Sequence, residues 1–276
     1  MINWYPGHMA SAKRMLEENL KIIDAALILL DARLPYSSRN PDLDKLLKNK
    51  RQLYILNKAD LADPDKTKLW LSYFRDNGIG GAQMCARSGS RKELLGIINR
   101  LTNPVLEKYR QKGINKTVRL LVCGIPNSGK STLINLLAGQ SRAKTGDKPG
   151  VTRGKQWIKI NEYLEFLDCP GLLWPRIDDQ QSAMRLAYTG AINDDTLDKE
   201  ELALNLVADL TELYPHLLVQ RYGVPVETEP ADTFDAICVK RGFVLKGGSP
   251  DRLRGAETIL NELRGGRIGR ITFEQP

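Results

Sequence analysis

Two short motifs occur along this chain in an order that few folds accommodate. Residues 57–60 read N-K-A-D, and residues 124–131 read G-I-P-N-S-G-K-S, more than sixty positions later. The second motif is typical of a loop that follows a strand, opens a helix and wraps phosphate groups. In the usual arrangement this motif precedes N-K-x-D. The reversed order predicts an α/β fold with a mostly parallel sheet whose connectivity is circularly permuted.

The phosphate-binding loop carries residues expected to contact a nucleoside triphosphate. It follows an apolar run at 118–123, and its backbone N–H groups and the start of the next helix would cradle the phosphates. Lys130 is expected to reach the β- and γ-phosphates, and Ser131 to bind Mg²⁺. The other predicted contacts of this loop are Asn127, Ser128, Gly129 and Thr132.

The N-K-x-D motif predicts recognition of guanine. Asp60 can accept hydrogen bonds from N1–H and the 2-amino group of guanine, whereas adenine has an unprotonated N1 and no 2-amino group. Lys58 is expected to lie along the base, and Asn57 to join this loop to the phosphate loop. Cys85 and Ala86 lie where the backbone of an S-A-K loop would support the guanine O6, although a cysteine here replaces the serine.

A third motif, D-x-x-G at 168–171, follows the apolar run at 164–167. Asp168 is expected to hold Mg²⁺ through water, and the N–H of Gly171 to sense the γ-phosphate. Thr152, in the segment before this motif, is the candidate threonine for Mg²⁺ and the γ-phosphate. Leu172 follows the motif where signalling GTPases commonly carry a nearby glutamine, so another group must orient the attacking water.

Asn127, inside the phosphate loop, leaves two interpretations open. An asparagine at this position often accompanies K⁺ bound beside the phosphates, where the ion supplies the positive charge that an arginine supplies elsewhere. The alternative is an asparagine that only stabilises the turn.

Charge is unevenly distributed along the chain, whose formal net charge is +8. The net charge is +6 over residues 1–100, +10 over 101–160, −12 over 161–235 and +4 over 236–276. Clustered positive charge favours a polyanionic partner such as RNA, although part of it would serve the nucleotide phosphates. We expect RNA contacts on the face formed by 101–160 and on the helices of 236–276.

Alternating apolar and helical patterns predict two domains. Short apolar runs that predict strands occur at 26–31, 52–56, 82–86, 118–123, 156–160 and 164–167. Helical spacing occurs between these runs. In the second half, helical spacing continues without intervening strand runs at 183–191, 199–214, 231–241 and 250–264. The pattern predicts a GTPase domain at 1–175, with helices on both faces of its sheet, and a small all-helical RNA- or ribosome-binding domain at 176–276. Residues 108–116 are expected to connect the original chain ends.

Composition favours a cytoplasmic protein. The chain starts without the basic and apolar regions of a secretory leader, and no apolar run is long enough to cross a membrane. Scattered cysteines favour a reducing compartment without disulfides or a zinc site; they are Cys85, Cys123, Cys169 and Cys238. We expect a monomer.

With its motifs in this order, the chain resembles a circularly permuted ribosome-assembly GTPase and is most similar to the bacterial ribosome biogenesis GTPase A family. The resemblance is carried also by W-Y-P-G-H-M at 4–9, D-A-R at 31–33, S-S-R-N-P at 37–41, K-T-G-D at 144–147 and F-E-Q-P at 273–276. It implies a GTPase that binds GTP and GDP and acts on the precursor of the large ribosomal subunit and its rRNA, late in maturation. Its weak intrinsic hydrolysis would be stimulated by the ribosome.

The resemblance also implies a catalytic role for His8, one of two histidines in the chain. Its place in a turn with Pro6 and Gly7, and an imidazole pKa near neutrality, suit it to positioning water. A turn residue or an RNA contact is the alternative interpretation. His216, the other histidine, has no chemical constellation around it and is expected to be structural.

Two other functions remain open at this point. One is a GTP-gated RNA-binding module, in which turnover is only a release signal. The other is a tRNA-modification GTPase, which would need a partner enzyme or a catalytic cysteine constellation that the sequence does not show. Because the chain after Gly171 continues directly into the helical region, a shift at Gly171 that depends on the γ-phosphate is expected to move that region.

Overall fold

A six-stranded sheet forms the centre of the first half of the chain. The computed structural model describes residues 7–139, 156–174, 177, 179–193 and 197–276, with side chains from residue 13 onward. The spatial order of the strands is β3-β2-β1-β4-β6-β5. All neighbours are parallel except β5 and β6. The strands are β1 (Ala25–Asp31), β2 (Arg51–Asn57), β3 (Gly81–Gln83), β4 (Val118–Gly124), β5 (Gln156–Asn161) and β6 (Leu164–Asp168).

Helices cover both faces of this sheet, as the sequence predicts. Leu27 and Leu29 of β1 lie in a cluster with α4 and α5, whereas Ile28 and Leu30 lie in a second cluster with α1, α2 and α3. This division follows from the alternation of side chains along a strand. The helices that the structure describes in this half are α1 (Gly7–Asn19), α2 (Pro41–Leu47), α3 (Pro64–Asp76), α4 (Arg91–Arg110) and α5 (Lys130–Ala138). The α/β fold class is therefore confirmed.

The helices of the second half enclose an apolar core of their own. Leu206, Leu210 and Ile259 lie at its centre, and the cluster extends to Leu34 and Ile125 in the first half. The loops after β1 and β4 are thus in direct contact with the C-terminal helices. The domain boundary at residue 175 stays a prediction, because residues 175 and 176 lie outside the described residues. Within the described part of this half, the helices are α6 (Gln180–Tyr188), α7 (Lys199–Leu213), α8 (Pro215–Tyr222), α9 (Pro230–Lys240) and α10 (Arg252–Arg264).

Some element boundaries differ from the sequence predictions. The strand expected at 82–86 ends at Gln83, because the chain then bends and its backbone bonds to the loop after β2. The expected connector at 108–116 is partly helical, since α4 runs through Pro104 and ends at Arg110. Helices α2 and α8 were not predicted. Both are short and begin at a proline, a residue that the first turn of a helix tolerates.

After α10 the chain returns to the first half as an extended segment. Ile271, Thr272 and Phe273 are buried there, and the Phe273 N–H donates to the carbonyl of Arg33. The C-terminal segment therefore lies against the loops that follow β1 and β2. None of the helices in the described ranges combines the length and apolarity that crossing a membrane requires.

Candidate nucleotide-binding site

The phosphate loop leaves β4 and opens α5, which is the context that its motif requires. Gly129 caps α5 with a φ of +92°, and a Cβ at this position would collide with the side-chain amide of Asn57. Only glycine fits both the left-handed conformation and this close approach. Ser128 is buried beside it, and its hydroxyl donates to the carbonyl of Ile125 at 2.9 Å.

Lys130 lies inside the curve of this loop. Its ammonium donates to the carbonyls of Gly124 at 3.3 Å and Ile125 at 2.9 Å, and the residue is buried. Burial lowers the pKa of Lys130, although the nearby groups of Cys169 and Asp168 oppose the shift. Ser131 and Thr132 follow in the first turn of α5 and are half-buried. The structure thus brings together the loop residues that the sequence predicts.

Asn57 joins three loops that are far apart in the sequence. Its side-chain amide donates to the carbonyl of Ser128 at 2.7 Å, and its carbonyl oxygen accepts from the N–H of Ala86 at 2.9 Å. Asn57 itself is almost fully buried at the end of β2. The base motif, the loop at residues 85–86 and the phosphate loop therefore meet at one edge of the sheet, where open α/β sheets bind ligands.

Lys58 is held by a buried ion pair that the sequence analysis missed. Its backbone is left-handed, with a φ of 59°, and its ammonium lies 3.0 Å from the carboxylate of Asp31. Arg33 donates to the same carboxylate at 2.7 and 2.9 Å. Burial alone would raise the pKa of Asp31, but the charges of Arg33 and Lys58 outweigh it and hold that pKa well below its usual range. The sequence signal for this ion pair was D-A-R at 31–33, which places an acidic and a basic residue at the end of an otherwise apolar strand.

Asp60 and Cys85 flank the position expected for the base. Asp60 is exposed, which leaves its carboxylate open to a ligand. The N–H of Ala59 donates to the carbonyl of Met84 at 3.1 Å, which joins the base motif to the chain before Cys85. The Cys85 sulfur accepts from the hydroxyl of Ser88 at 3.0 Å, within its own loop. The backbone of Met84 and Ala86, rather than the thiol of Cys85, is therefore linked to the base motif.

Asp168 and Gly171 lie against the phosphate loop. Asp168 is buried at the end of β6, and its Oδ1 has no hydrogen-bond partner among the described residues. Burial raises the pKa of Asp168 to about 6, against the opposing charge of Lys130. A Cβ on Gly171 would lie 2.7 Å from the backbone of Pro126, so only glycine permits this approach. A buried carboxylate oxygen left without a protein partner fits a site completed by a cation or its water.

Two predicted site residues, His8 and Thr152, are only partly described or not described by the structure. Thr152 is outside the described residues. The backbone of Gly7 and His8 forms the first turn of α1 and not the turn that the sequence analysis expected, because proline and glycine are also common where a helix begins. His216 is exposed in α8, with its ring centroid 6.3 Å from that of Tyr214, and its structural role stays a prediction.

Asn127 contacts the C-terminal helices, which the sequence did not indicate. Its side-chain amide donates to the carbonyl of Gly190 at 2.6 Å, just after α6. Arg264 of α10 donates to the carbonyls of Ala187 and Tyr188 at 2.9 Å each, so it secures the end of the same helix. Asn127 itself adopts a left-handed φ of 57°. The phosphate loop and the C-terminal helices thus share a direct polar contact.

The fold and these contacts define a P-loop GTPase in which the base motif precedes the phosphate loop along the chain. A family model described as "50S ribosome-binding GTPase" matches residues 119–221. The chain is 44% identical to Ribosome biogenesis GTPase A of Bacillus cereus over 279 residues, which covers 100% of this chain and 94% of the relative. The corresponding protein of Priestia megaterium is 43% identical, with 100% and 97% coverage. The chain belongs to the ribosome biogenesis GTPase A family, and the resemblance seen in its motifs is confirmed.

A solved structure is similar over almost its whole length. The GDP-bound structure of TM YlqF has a TM-score of 0.71 and 25% sequence identity to this chain. The similarity covers 95% of this chain and 99% of that one. The circularly permuted connectivity is consistent with this neighbour.

Proposed function

We propose that this ribosome-assembly GTPase binds the immature large ribosomal subunit and couples GTP binding and hydrolysis to a late step of its assembly. The observation that carries the proposal is the position of Asn57, whose side chain joins the base motif to the loop at Ala86 and to the phosphate loop at Ser128. The description of the matching family as ribosome-binding and the names of the relatives support the ribosomal partner.

In this proposal the base and the phosphates bind at opposite ends of the site. Asp60 accepts from guanine, Lys58 lies along the base and the backbone of Ala86 faces O6. Lys130 neutralises the β- and γ-phosphates. The backbone of the phosphate loop surrounds the phosphates through Asn127, Ser128, Gly129, Lys130, Ser131 and Thr132.

We assign Mg²⁺ to Ser131, Asp168 and Thr152. The unpartnered, buried oxygen of Asp168 supports this assignment. When bound, Mg²⁺ neutralises charge that develops on the phosphate oxygens. Asn127 is a candidate contact for K⁺ beside the same phosphates, although its amide also donates to Gly190.

Orientation of the attacking water is assigned to His8. Leu172 offers no polar group, and it is buried in the cluster shared with the sheet, so it cannot hold water. His8 belongs to α1, whose Leu16 lies in that same cluster. In this proposal hydrolysis by the free protein is weak, and the ribosome stimulates it by placing His8 against the attacking water.

The chain after Gly171 supplies the proposed coupling between nucleotide and subunit. Leu172 inserts into the cluster under the sheet, whereas Leu173 inserts into the core of the C-terminal helices. Neighbouring residues thus belong to two different cores. A shift of Gly171 toward or away from the γ-phosphate would displace Leu172 and Leu173 in their two cores and change the position of the C-terminal helices.

Only part of the predicted basic surface is open to RNA. Arg252 forms two hydrogen bonds of 2.7 Å with Asp235, and Arg264 is committed to the end of α6. Lys240, at the end of α9, and Lys246, in the loop between α9 and α10, are exposed and are the better candidates for RNA contact. We further propose a monomer that works in the cytoplasm, where its four free cysteines would stay reduced.

The proposal is tested by turnover and by particle binding. GTP hydrolysis should rise many-fold on addition of precursor large subunits, and a GTP-locked chain should copurify with those particles. Binding without stimulated turnover would favour a GTP-gated RNA-binding module. Copurification with tRNA or a tRNA-modifying partner, with neither subunit binding nor stimulation, would favour the tRNA alternative.

A further inference from the structure

The segment 270–274, here called the C-terminal strap, holds the turn that follows the base motif. Arg270 donates to the carbonyl of Ala59 at 3.0 Å and to that of Ala62 at 2.9 Å. The N–H of Ile271 donates to the carbonyl of Leu61 at 3.0 Å. Three carbonyls of one short turn are therefore bound by residues more than 200 positions away.

The strap also joins this turn to the loop after β1. The hydroxyl of Thr272 accepts from the N–H of Asp63 and donates to the carbonyl of Ala32, both at 3.1 Å. The N–H of Phe273 donates to the carbonyl of Arg33 at 2.9 Å. Asp31, whose carboxylate holds Lys58, ends β1 directly before this loop. The strap therefore bonds both to the turn after the base motif and to the loop next to Asp31.

Both ends of the strap are fixed to the rest of the molecule. The Glu274 carboxylate is buried and accepts from the N–H groups of Tyr36 and Ser37. The indole N–H of Trp70 donates to the Glu274 carbonyl at 3.2 Å. The hydroxyl of Tyr214, at the end of α7, donates to the carbonyl of Thr272 at 3.0 Å. The strap is therefore a rigid support for the base motif.

The base motif needs an external support of this kind. Lys58 has a left-handed backbone that costs energy in a residue other than glycine, so the turn relaxes unless other contacts hold it. Asp60 follows in the same turn and is exposed, with little packing of its own. We propose that Arg270 and Thr272 are positioning residues that set the orientation of the guanine-reading turn, and thereby the affinity and base selectivity of the site.

This inference rests on the proposed role of Asn57, Lys58 and Asp60 in reading guanine, and it predicts a base-dependent effect. Asp60 can pair with both N1–H and the 2-amino group of GTP, whereas ITP lacks the 2-amino group. If the turn is less firmly held, Asp60 no longer accepts both hydrogen bonds in good geometry, and only GTP offers both donors. GTP should therefore weaken more than ITP, since the phosphate contacts of the two nucleotides are the same.

The test measures Kd values for GTP and ITP on full-length variants with unchanged thermal unfolding. Arg270→Ala should weaken GTP about fivefold, the effect of losing one or two hydrogen bonds, and should lower the ITP-to-GTP ratio of Kd. Arg270→Lys, which retains one donor group, should recover part of the loss. Arg267→Ala is the matched control, because Arg267 is exposed and its side chain forms no hydrogen bond with the described residues.

A second pair of variants tests the same proposal if Arg270→Ala does not fold. Thr272→Val removes the hydroxyl that joins the two loops, and Thr272→Ser retains it, so only the first should lower the ITP-to-GTP ratio. Equal weakening of GTP and ITP, or no change of either, in folded variants would overturn the positioning role. Asp60→Asn distinguishes a failure of the positioning role from a failure of the base motif. An unchanged preference for GTP over XTP in that variant would reject the assignment of the base motif itself.

Discussion

The base side and the phosphate side of the nucleotide site satisfy their polar groups in different ways. On the base side, Asn57 and Lys58 are bound to protein groups, and Asp31 is fully paired. On the phosphate side, one oxygen of Asp168 has no partner among the described residues, and Lys130 is buried against main-chain carbonyls. The protein itself arranges the base side, whereas the phosphate side is built to be completed by a ligand.

This difference separates the expected effects of mutation. Changes to the base side should alter folding stability or base selectivity, since protein contacts are lost. Changes to the phosphate side should alter nucleotide binding or turnover with little cost in stability, because their main partners are in the ligand.

Removing the phosphate-side lysine should have the largest effect. Lys130→Ala should weaken GTP by about 100- to 1000-fold, because a buried charge that pairs with the phosphates is lost. Its thermal unfolding should stay close to that of the parent. Lys112→Ala, at an exposed position, is the control and should bind GTP normally. GTP binding is measured by calorimetry. Tight binding by Lys130→Ala would contradict the claim that the phosphate side is completed by the ligand.

Removing the base-side carboxylate should instead destabilise the fold. Asp31→Asn leaves Arg33 buried without its counter-charge, which costs about 3 kcal/mol of unfolding free energy. Asp76→Asn, at an exposed ion pair with Arg75, should cost less than about 0.5 kcal/mol. Denaturant unfolding measures both values, and equal values for the two variants would contradict the structural role of Asp31.

The same pair predicts a pH dependence. Because the folded protein holds the pKa of Asp31 below the ordinary 3.8, the pair contributes its full stability above that pH and loses it as the pH falls further. The difference between the parent and Asp31→Asn should stay constant from pH 8 to 5 and shrink below about pH 4.

His8 should matter for chemistry on the phosphate side and not for binding. His8→Ala should keep GTP affinity within a few-fold, while ribosome-stimulated turnover falls about 100-fold, the usual scale for one positioning or acid–base group. His216→Ala is the matched control and should hydrolyse GTP normally. Parental turnover by His8→Ala in the presence of ribosomes would require another group to orient the water.

The smallest effect is expected at two exposed lysines, one at the end of α9 and one in the loop between α9 and α10. Lys240→Glu and Lys246→Glu should each weaken binding to large-subunit particles several-fold and reduce its salt dependence by roughly one unit of slope. Reversal of an acidic residue, Glu200→Lys, should not weaken it. A flat response of particle binding to salt would exclude RNA as the dominant contact.

The sequence predicted the parts of the site that reside in short motifs. Asn57 and Asp168 end apolar runs, and Lys130 follows another at the fixed spacing of the phosphate loop, so both their chemistry and their position at one edge of the sheet could be predicted. The two-sided α/β fold followed from the same alternation of strands and helices.

The supports of those motifs could not be predicted in this way. The contacts of Arg270 with the turn after the base motif, and of Asn127 with Gly190, join residues that are distant in the chain. Such contacts leave no periodic pattern, since each depends on how complete elements pack together. The strand expected at 82–86 is shorter for a related reason: Ala86 bonds to the side chain of Asn57 and not to a neighbouring strand.

The central claim is that the permuted segments form one guanine-specific site, and Asp60→Asn tests it most directly. Asparagine can donate to the 2-oxo group of xanthine but cannot accept from both donors of guanine. The account predicts that this variant loses at least about tenfold in GTP affinity and gains affinity for XTP, measured as Kd values on the folded protein. Equal GTP affinity in the variant and the parent, with no gain for XTP, would contradict it.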